Sequence, residues 1–170
     1  MSNFFILGLP RSRTTWLSAF LITERVFCEH DVFSSEEVYP DEFWGIEGYE
    51  YTGSVDTDAI LATPYLSSLN APLVVIERDH REVYQSMARI PNIDKDKLKR
   101  HITAQQYALS KAMDFANLVV QYEDLDDMLK EVCYVCTPNI EFDEVKHAAF
   151  KSFNIQTPGL CGESFNKRGK

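Results

Sequence analysis

The chain has 170 residues, of which 45% are hydrophobic, and this length and composition predict one domain with one packed core. It carries 17 lysine and arginine residues against 26 aspartate and glutamate residues, a formal net charge of −9 that argues against a general nucleic-acid partner. No apolar run approaches the ~20 residues of a membrane span, and no basic region precedes the first apolar stretch, so we expect neither a membrane partner nor a signal peptide.

Short apolar runs bounded by turn residues predict the strands of a sheet. They are residues 3–7, 25–28, 72–77 and 117–122. Apolar residues at helical spacing predict helices between and after these strands. The predicted helices are residues 14–24, 56–69, 80–90, 94–115, 124–136 and 142–153. Strands that alternate with helices predict an α/β fold in which a parallel sheet lies between two helical layers.

Two segments lack a regular period. Residues 34–57 mix acidic and aromatic side chains, which predicts a long surface excursion of the kind that forms lids and binding loops. The single predicted domain covers residues 1–157, and the glycine-containing stretch 158–170 is predicted to be a flexible tail.

The turn after the first predicted strand is rich in hydroxyl and guanidinium groups. Its residues are Gly8, Leu9, Pro10, Arg11, Ser12, Arg13, Thr14, Thr15 and Trp16. A strand, a tight turn and a helix N-terminus together favour a bound phosphate over a simple solvated turn. Gly8 fits the first glycine of a nucleotide P-loop, but Arg13 replaces the second glycine and Thr14 replaces the lysine. Because ATP-cleaving enzymes keep that lysine, the turn predicts a phosphate site without ATP hydrolysis.

A second cationic turn follows the strand at residues 72–77. Arg78 ends this strand, and Ser86 lies eight residues later, about two helical turns along. Taken alone, Arg78 has an ordinary interpretation as a surface charge paired with Asp79. Since ligands of parallel α/β sheets bind beyond the carboxyl ends of the strands, we expect Arg11 and Arg78 to share one cleft.

Together the two turns resemble the motifs of the sulfotransferase family, whose members use 3′-phosphoadenosine 5′-phosphosulfate (PAPS) and have a P-loop fold. The matching residues are Pro10, Arg11, Ser12, Thr14, Thr15 and Trp16 in the first turn, and Arg78, Asp79, Arg81, Glu82, Val83 and Ser86 in the second. A weaker match is the Tyr-Glu-Asp-Leu run at residues 122–125. The chain departs from the family pattern at Arg13, where a glycine is usual, and at His80, where a proline is usual. The resemblance is that of a small, divergent member.

The resemblance implies a role for each matching residue. The predicted donor-binding set is Pro10, Arg11, Ser12, Arg13, Thr14, Thr15, Trp16, Arg78 and Ser86. Residues of the first turn would surround the 5′-phosphosulfate, and Arg11 would oppose the charge that grows on the leaving oxygen. Trp16 would lie against the adenine, while Arg78 and Ser86 would hold the 3′-phosphate. The motif requires no metal.

Transfer to a hydroxyl or amine also needs a base near the strand ends. The candidates are His30, Asp31, Glu36 and Glu37, and the predicted catalytic set is Arg11, His30, Asp31 and Glu37. Histidine titrates near neutral pH, whereas a carboxylate needs partial burial to act as a base. We expect the small-molecule or peptide acceptor to contact residues 34–57.

Two further clusters have structural interpretations. The pair Cys133 and Cys136 falls on a predicted amphipathic helix and favours core packing over metal or redox chemistry. The acidic run at residues 123–127 favours a helix N-terminus over a cation site. The cysteine spacing shows no disulfide framework, which favours a cytoplasmic location.

Two rival functions remain open at this stage. A nucleotide or small-molecule kinase would bind ATP with magnesium, and a non-catalytic module would bind the nucleotide without turnover.

Overall fold

The computed structural model describes residues 2–34, 46–58, 63–68 and 70–152. Its sheet consists of β1 (Ser2–Gly8), β2 (Val26–His30), β3 (Tyr51–Asp56), β4 (Leu73–Glu77) and β5 (Leu118–Gln121). The helices are α1 (Thr14–Leu21), α2 (Thr63–Ser68), α3 (His80–Met87), α4 (Lys95–Ala112), α5 (Leu125–Cys136) and α6 (Glu144–Lys151). The strands run parallel in the order β2-β3-β1-β4-β5.

Helices cover both faces of the sheet, which confirms the predicted α/β architecture. Alternate residues of β1 point to opposite faces, as the pleat of a strand requires. Phe4 and Ile6 pack in the hydrophobic cluster that α1 and α5 complete. Phe5 and Leu7 pack in the second cluster, with α3 and α4. Each face of the sheet therefore has its own apolar core.

The strand β3 corrects the prediction for residues 34–57. Instead of belonging to a surface excursion, Tyr51–Asp56 is fully buried between β2 and β1. It has no apolar run, because Thr52, Gly53 and Ser54 occupy its middle. Gly53 pairs with Phe4 of β1, and a Cβ atom on Gly53 would lie 2.0 Å from Cζ of Phe4. The middle of β3 therefore consists of small or polar residues, and the ring of Phe4 fills the space beside Gly53.

The prediction of a helix over residues 56–69 is wrong at its start. Asp56 is the last residue of β3, and the described helix in this region is Thr63–Ser68. The backbone pairing of Asp56 with Leu7 of β1 keeps this residue extended.

Other elements differ from their predicted bounds by a few residues. The strand predicted at 25–28 is Val26–His30, because its pairing with β3 continues to His30 opposite Val55. The helix predicted at 14–24 ends at Leu21. The predicted tail at 158–170 lies outside the described residues. Among the helices that are described, none is long and apolar enough to cross a membrane.

Candidate functional site

The loop that joins β1 to α1, residues 9–13, has an unusual backbone. Arg11 has φ 68°, and Arg13, the N-cap of α1, has φ 60° and ψ 22°. A residue with a side chain occupies this left-handed region at a cost of about 1 kcal/mol. Arg13 thus adopts the conformation that a glycine would supply at this position. A left-handed residue followed by a helical one directs successive N–H groups into a concave nest that suits an anion.

The N-terminus of α1 is open to a ligand. No side chain caps it, and its first turn contains no acidic residue. The first N–H groups of any helix lack partners within the helix, and they carry the positive end of the helix dipole. The start of α1 therefore offers donors and positive potential to an anion.

Two side chains in the same loop present polar atoms without partners. Ser12 is completely buried, and its Oγ has no hydrogen-bond partner among the described residues. Nε of Arg11 is likewise buried and unpaired within that part of the chain. Because an unpaired buried polar group is costly, such atoms at an open helix end point to a ligand that satisfies them.

Arg78 connects the second turn to the first. Its Nη1 donates a hydrogen bond to the backbone carbonyl of Arg11. Its guanidinium lies 4.0 Å from the ring centroid of Tyr122, and Nη2 lies 3.6 Å from Oε2 of Glu82. Its Nε is buried and has no hydrogen-bond partner in the described structure. The ends of β1 and β4 thus form one site, with Tyr122 from the end of β5 as the support for Arg78.

The Arg13 side chain is held by the neighbouring helices. Nη1 of Arg13 lies 3.0 Å from Oδ1 of Asp126 in the first turn of α5, and its guanidinium lies 4.0 Å from the centroid of Trp16. Burial of Asp126 opposes its ionisation, but the hydrogen bond and the charge of Arg13, together with the nearby Lys151, outweigh burial and lower the pKa of the carboxyl. The backbone of Arg13 therefore contributes to the conformation of the loop, while its guanidinium is paired with Asp126 of α5.

Trp16 lies inside the core in this structure. The residue is only 4% exposed, and its ring stacks on Phe20 with 5.5 Å between centroids. Its Nε1 donates to the carbonyl oxygen of Phe150 at 3.1 Å. The predicted contact of Trp16 with adenine stays a prediction, since an adenine reaches this ring only if packed groups move.

His30 links β2 to the start of α1. Its Nε2 lies 2.9 Å from Oγ1 of Thr14 and 3.2 Å from Oγ1 of Thr15, while its Nδ1 lies 3.4 Å from Oδ2 of Asp31. Burial lowers the pKa of His30, and the Asp31 carboxylate opposes that effect. His30 therefore joins the end of β2 to the first turn of α1, and its burial favours the neutral ring.

Asp31 contacts the Nδ1 side of the His30 ring, and Thr57 holds Asp31 in place. Asp31 has φ 54°, and its Oδ1 accepts hydrogen bonds from both N and Oγ1 of Thr57, at 2.9 and 3.1 Å. Thr57 follows directly on β3 and was not among the predicted site residues, because β3 itself has no sequence signature.

The position of Ser86, half-buried on α3, leaves its predicted role untested. Glu36 and Glu37 lie outside the described residues.

The two clusters with structural interpretations are confirmed. Cys133 and Cys136 are buried in the core beside α1, and burial raises the pKa of the Cys133 thiol to about 12. Asp126 and Asp127 lie in the first turn of α5, where negative charge favours the helix dipole.

Comparison with known proteins identifies a fold but no family. No protein-family model matches the chain, and no curated protein matches it in sequence. The mouse sulfotransferase SULT7A1, solved in complex with PAP, superposes with a TM-score of 0.53 at 11% identity, over 88% of this chain and 62% of that one. Shikimate kinase from Bacteroides thetaiotaomicron superposes with a TM-score of 0.45 at 14% identity, over 88% of this chain and 93% of that one.

The chain spans less than two thirds of the length of the mouse sulfotransferase. At 11% identity this likeness shows the fold alone, an α/β fold whose described strands form a five-stranded parallel sheet.

Proposed function

We propose that the chain binds PAPS and transfers its sulfuryl group to a hydroxyl or amine acceptor. The observation that carries this proposal is the hydrogen bond from Arg78 to the carbonyl of Arg11, which joins two cationic strand ends into one site. A nucleotide with phosphate groups at both ends of its ribose needs two such cationic regions. The motif resemblance and the fold of a sulfotransferase solved with PAP support the same ligand.

The β1–α1 loop suits the 5′-phosphosulfate. Its N–H groups and the open end of α1 supply donors in a fixed arrangement, so the charge of the transferring group needs little reorganisation of the protein. In the transfer, a bond forms between sulfur and the acceptor oxygen or nitrogen while the bond between sulfur and the bridging 5′-phosphate oxygen breaks. Arg11 stabilises the charge on the departing phosphate, and a carboxylate among the candidate bases, Asp31, Glu36 or Glu37, receives the acceptor proton.

Arg78 suits the 3′-phosphate because its guanidinium is prepositioned. The ring of Tyr122 and the carbonyl of Arg11 hold it, and its side chain is only 15% exposed. A planar guanidinium that is already fixed loses little conformational freedom when it binds a phosphate. Glu82, whose Oε2 lies 3.6 Å from Nη2 of Arg78, partly balances the charge of the guanidinium.

The test is calorimetric titration with 3′-phosphoadenosine 5′-phosphate (PAP), with adenosine 5′-phosphate and with ATP plus magnesium. PAP should bind most tightly. Arg78→Ala should weaken PAP binding by about 10- to 100-fold, the value of one or two charge-assisted hydrogen bonds. The same variant should leave adenosine 5′-phosphate binding nearly unchanged, because that ligand lacks the 3′-phosphate.

Arg25→Ala is the matched control. Arg25 directly precedes the edge strand β2, at the amino end of that strand, whereas Arg78 follows the carboxyl end of β4, and Arg25 pairs with Glu50. Its removal should leave PAP affinity unchanged. Equal PAP affinity for the wild type and Arg78→Ala would contradict the proposal. Tighter binding of ATP with magnesium than of PAP would favour the kinase. PAP binding without sulfuryl transfer from labelled PAPS to any of a panel of hydroxyl and amine acceptors would favour the non-catalytic module.

A further inference from the structure

We propose that an anion bound at the β1–α1 loop takes the hydroxyl hydrogens of Thr14 and Thr15 away from His30, and that His30 then takes up a proton. Ligand binding and protonation of His30 are thereby coupled. This inference rests on the anion site of the proposed function, and it adds a pH-linked step that the motif resemblance does not contain.

The first step of the argument is the tautomer of His30. A carboxylate only accepts hydrogen bonds, so Asp31 favours the tautomer of His30 that carries its hydrogen on Nδ1. Thr57 occupies the other oxygen of Asp31 with two donated bonds and so fixes the carboxylate beside the ring. In this tautomer Nε2 has no hydrogen, and it accepts from the hydroxyls of Thr14 and Thr15.

The second step is a count of hydrogens. Each threonine hydroxyl has one hydrogen, which it donates either to His30 or to an anion at the start of α1. Thr14 and Thr15 are the first two residues of α1, the turn whose N–H groups face a bound anion. When the hydroxyls turn to the anion, their lone pairs face Nε2. Only a protonated Nε2 then makes a favourable contact with these two oxygen atoms.

The third step is the balance of charge around His30. Glu29 lies on the strand of His30 and Asp31 directly follows that strand, while Asp56 is the last residue of the neighbouring strand β3 and Asp58 lies two residues beyond it. The first turn of α1 adds no carboxylate.

Burial lowers the pKa of His30 and the Asp31 carboxylate opposes that effect, while the Arg13 guanidinium of the preceding loop is paired with Asp126. A bound dianion adds a second attractive charge to that of Asp31, and this charge favours the protonated ring. Binding and proton uptake therefore favour one another, and anion affinity should rise as pH falls through the range in which His30 titrates.

The test is calorimetric titration of PAP at pH 7 in buffers that differ in ionisation enthalpy, such as Tris, HEPES and PIPES. The dependence of the measured heat on the buffer gives the number of protons taken up per PAP molecule. The wild type should take up about half a proton or more beyond the uptake of His30→Gln. That variant keeps a polar side chain beside the threonines, and it corrects for protons taken up by the phosphate groups of PAP.

His101→Gln is the matched control, since His101 lies on α4, which packs on the opposite face of the sheet. It should show the same proton uptake as the wild type. Asp31→Asn removes the carboxylate that favours a protonated ring, so its uptake at pH 7 should fall towards that of His30→Gln. Rescue of the uptake by Asp31→Glu would separate the positioning role of Asp31 from a purely structural role.

A second measurement follows the ring of His30 by NMR as pH varies, with and without sulfate, an anion that does not titrate near neutral pH. Sulfate should move the titration midpoint of His30 to higher pH. PAP binding with equal proton uptake in the wild type and His30→Gln would overturn the coupling and leave the proposed function intact. Absence of PAP binding would overturn the proposed function, and the coupling would then fall if sulfate left the His30 midpoint unmoved.

Discussion

Two turns follow adjacent strands of the sheet, and each places an arginine at the candidate site, but their local structures differ. The loop between β1 and α1 has two arginines with left-handed backbones and leaves the helix start uncapped. The turn between β4 and α3 has an ordinary backbone, and Asp79 caps its helix by accepting a hydrogen bond from the N–H of Arg81 at 2.8 Å. The first turn therefore offers its backbone to an anion, whereas the second offers only the Arg78 side chain.

The difference has a physical cause. A helix N-terminus binds either its own cap or a ligand, because both use the same N–H groups. The first turn keeps these groups free and accepts backbone strain of about 1 kcal/mol at each left-handed arginine. The second turn is locally satisfied, so its contribution to binding depends on how Tyr122 and the Arg11 carbonyl hold one guanidinium.

The largest effect is expected when a cap like Asp79 is placed in the first turn. Arg13→Asp puts a carboxylate at the N-cap of α1, where it competes with a bound phosphate and repels it. We expect PAP affinity to fall about 100-fold or more, because a charge-assisted contact becomes a repulsive one. Calorimetric titration measures the change.

Arg13→Asn controls for shape in that experiment, since asparagine has nearly the same size as aspartate and tolerates the left-handed region. It should bind PAP more tightly than Arg13→Asp and more weakly than the wild type, because an asparagine cap competes with the phosphate for the same N–H groups but does not repel it. If both variants bind PAP like the wild type, the start of α1 is not the anion site.

A smaller effect is expected from removal of the natural cap. Asp79→Ala should lower the free energy of unfolding by about 1 kcal/mol, the usual value of an N-cap side chain. PAP affinity should change less than threefold, because the backbone of this turn does not face the ligand. Urea denaturation measures the stability. A loss of PAP affinity as large as that of Arg78→Ala would show that the two turns are more alike than the structure indicates.

The smallest effect is expected from Arg13→Gly. Glycine relieves the left-handed strain of about 1 kcal/mol, but the variant loses a half-buried ion pair and a cation–π contact of similar total size. The free energy of unfolding should therefore change by no more than about 1 kcal/mol. Urea denaturation beside the wild type tests this balance. A loss above about 2 kcal/mol would mean that contacts of the Arg13 side chain, and not the backbone, determine the shape of the loop.

The two arginine-bearing turns were predictable because each is encoded by consecutive residues. An apolar run, a change to turn residues and a helical period locate both turns to within a few positions, and the parallel sheet then brings Arg11 and Arg78 to the same edge. The support of Arg78 by Tyr122 was not predictable in this way. It depends on β5 lying beside β4, and the sequence separation of the two residues does not encode that contact.

The β3 strand was missed for a different reason. A strand is predicted from its own apolar pattern, but Thr52, Gly53 and Ser54 are buried because their neighbours enclose them. Phe4 fills the space that Gly53 leaves, so the burial of Tyr51–Asp56 is a property of two strands together. Thr57 was missed for the same reason, because its hydrogen bond to Asp31 depends on the position where β3 ends.

The sequence by itself determined the α/β class, the helical layers and the two cationic turns, because local periodicity and turn chemistry act over a few residues. Only the tertiary structure decided that a polar strand lies inside the sheet and that His30 meets the threonines of α1. It also decided that Asp126 of α5 holds Arg13. These contacts join residues far apart in the chain, and their energies arise only when the sheet has aligned its strand ends at one edge.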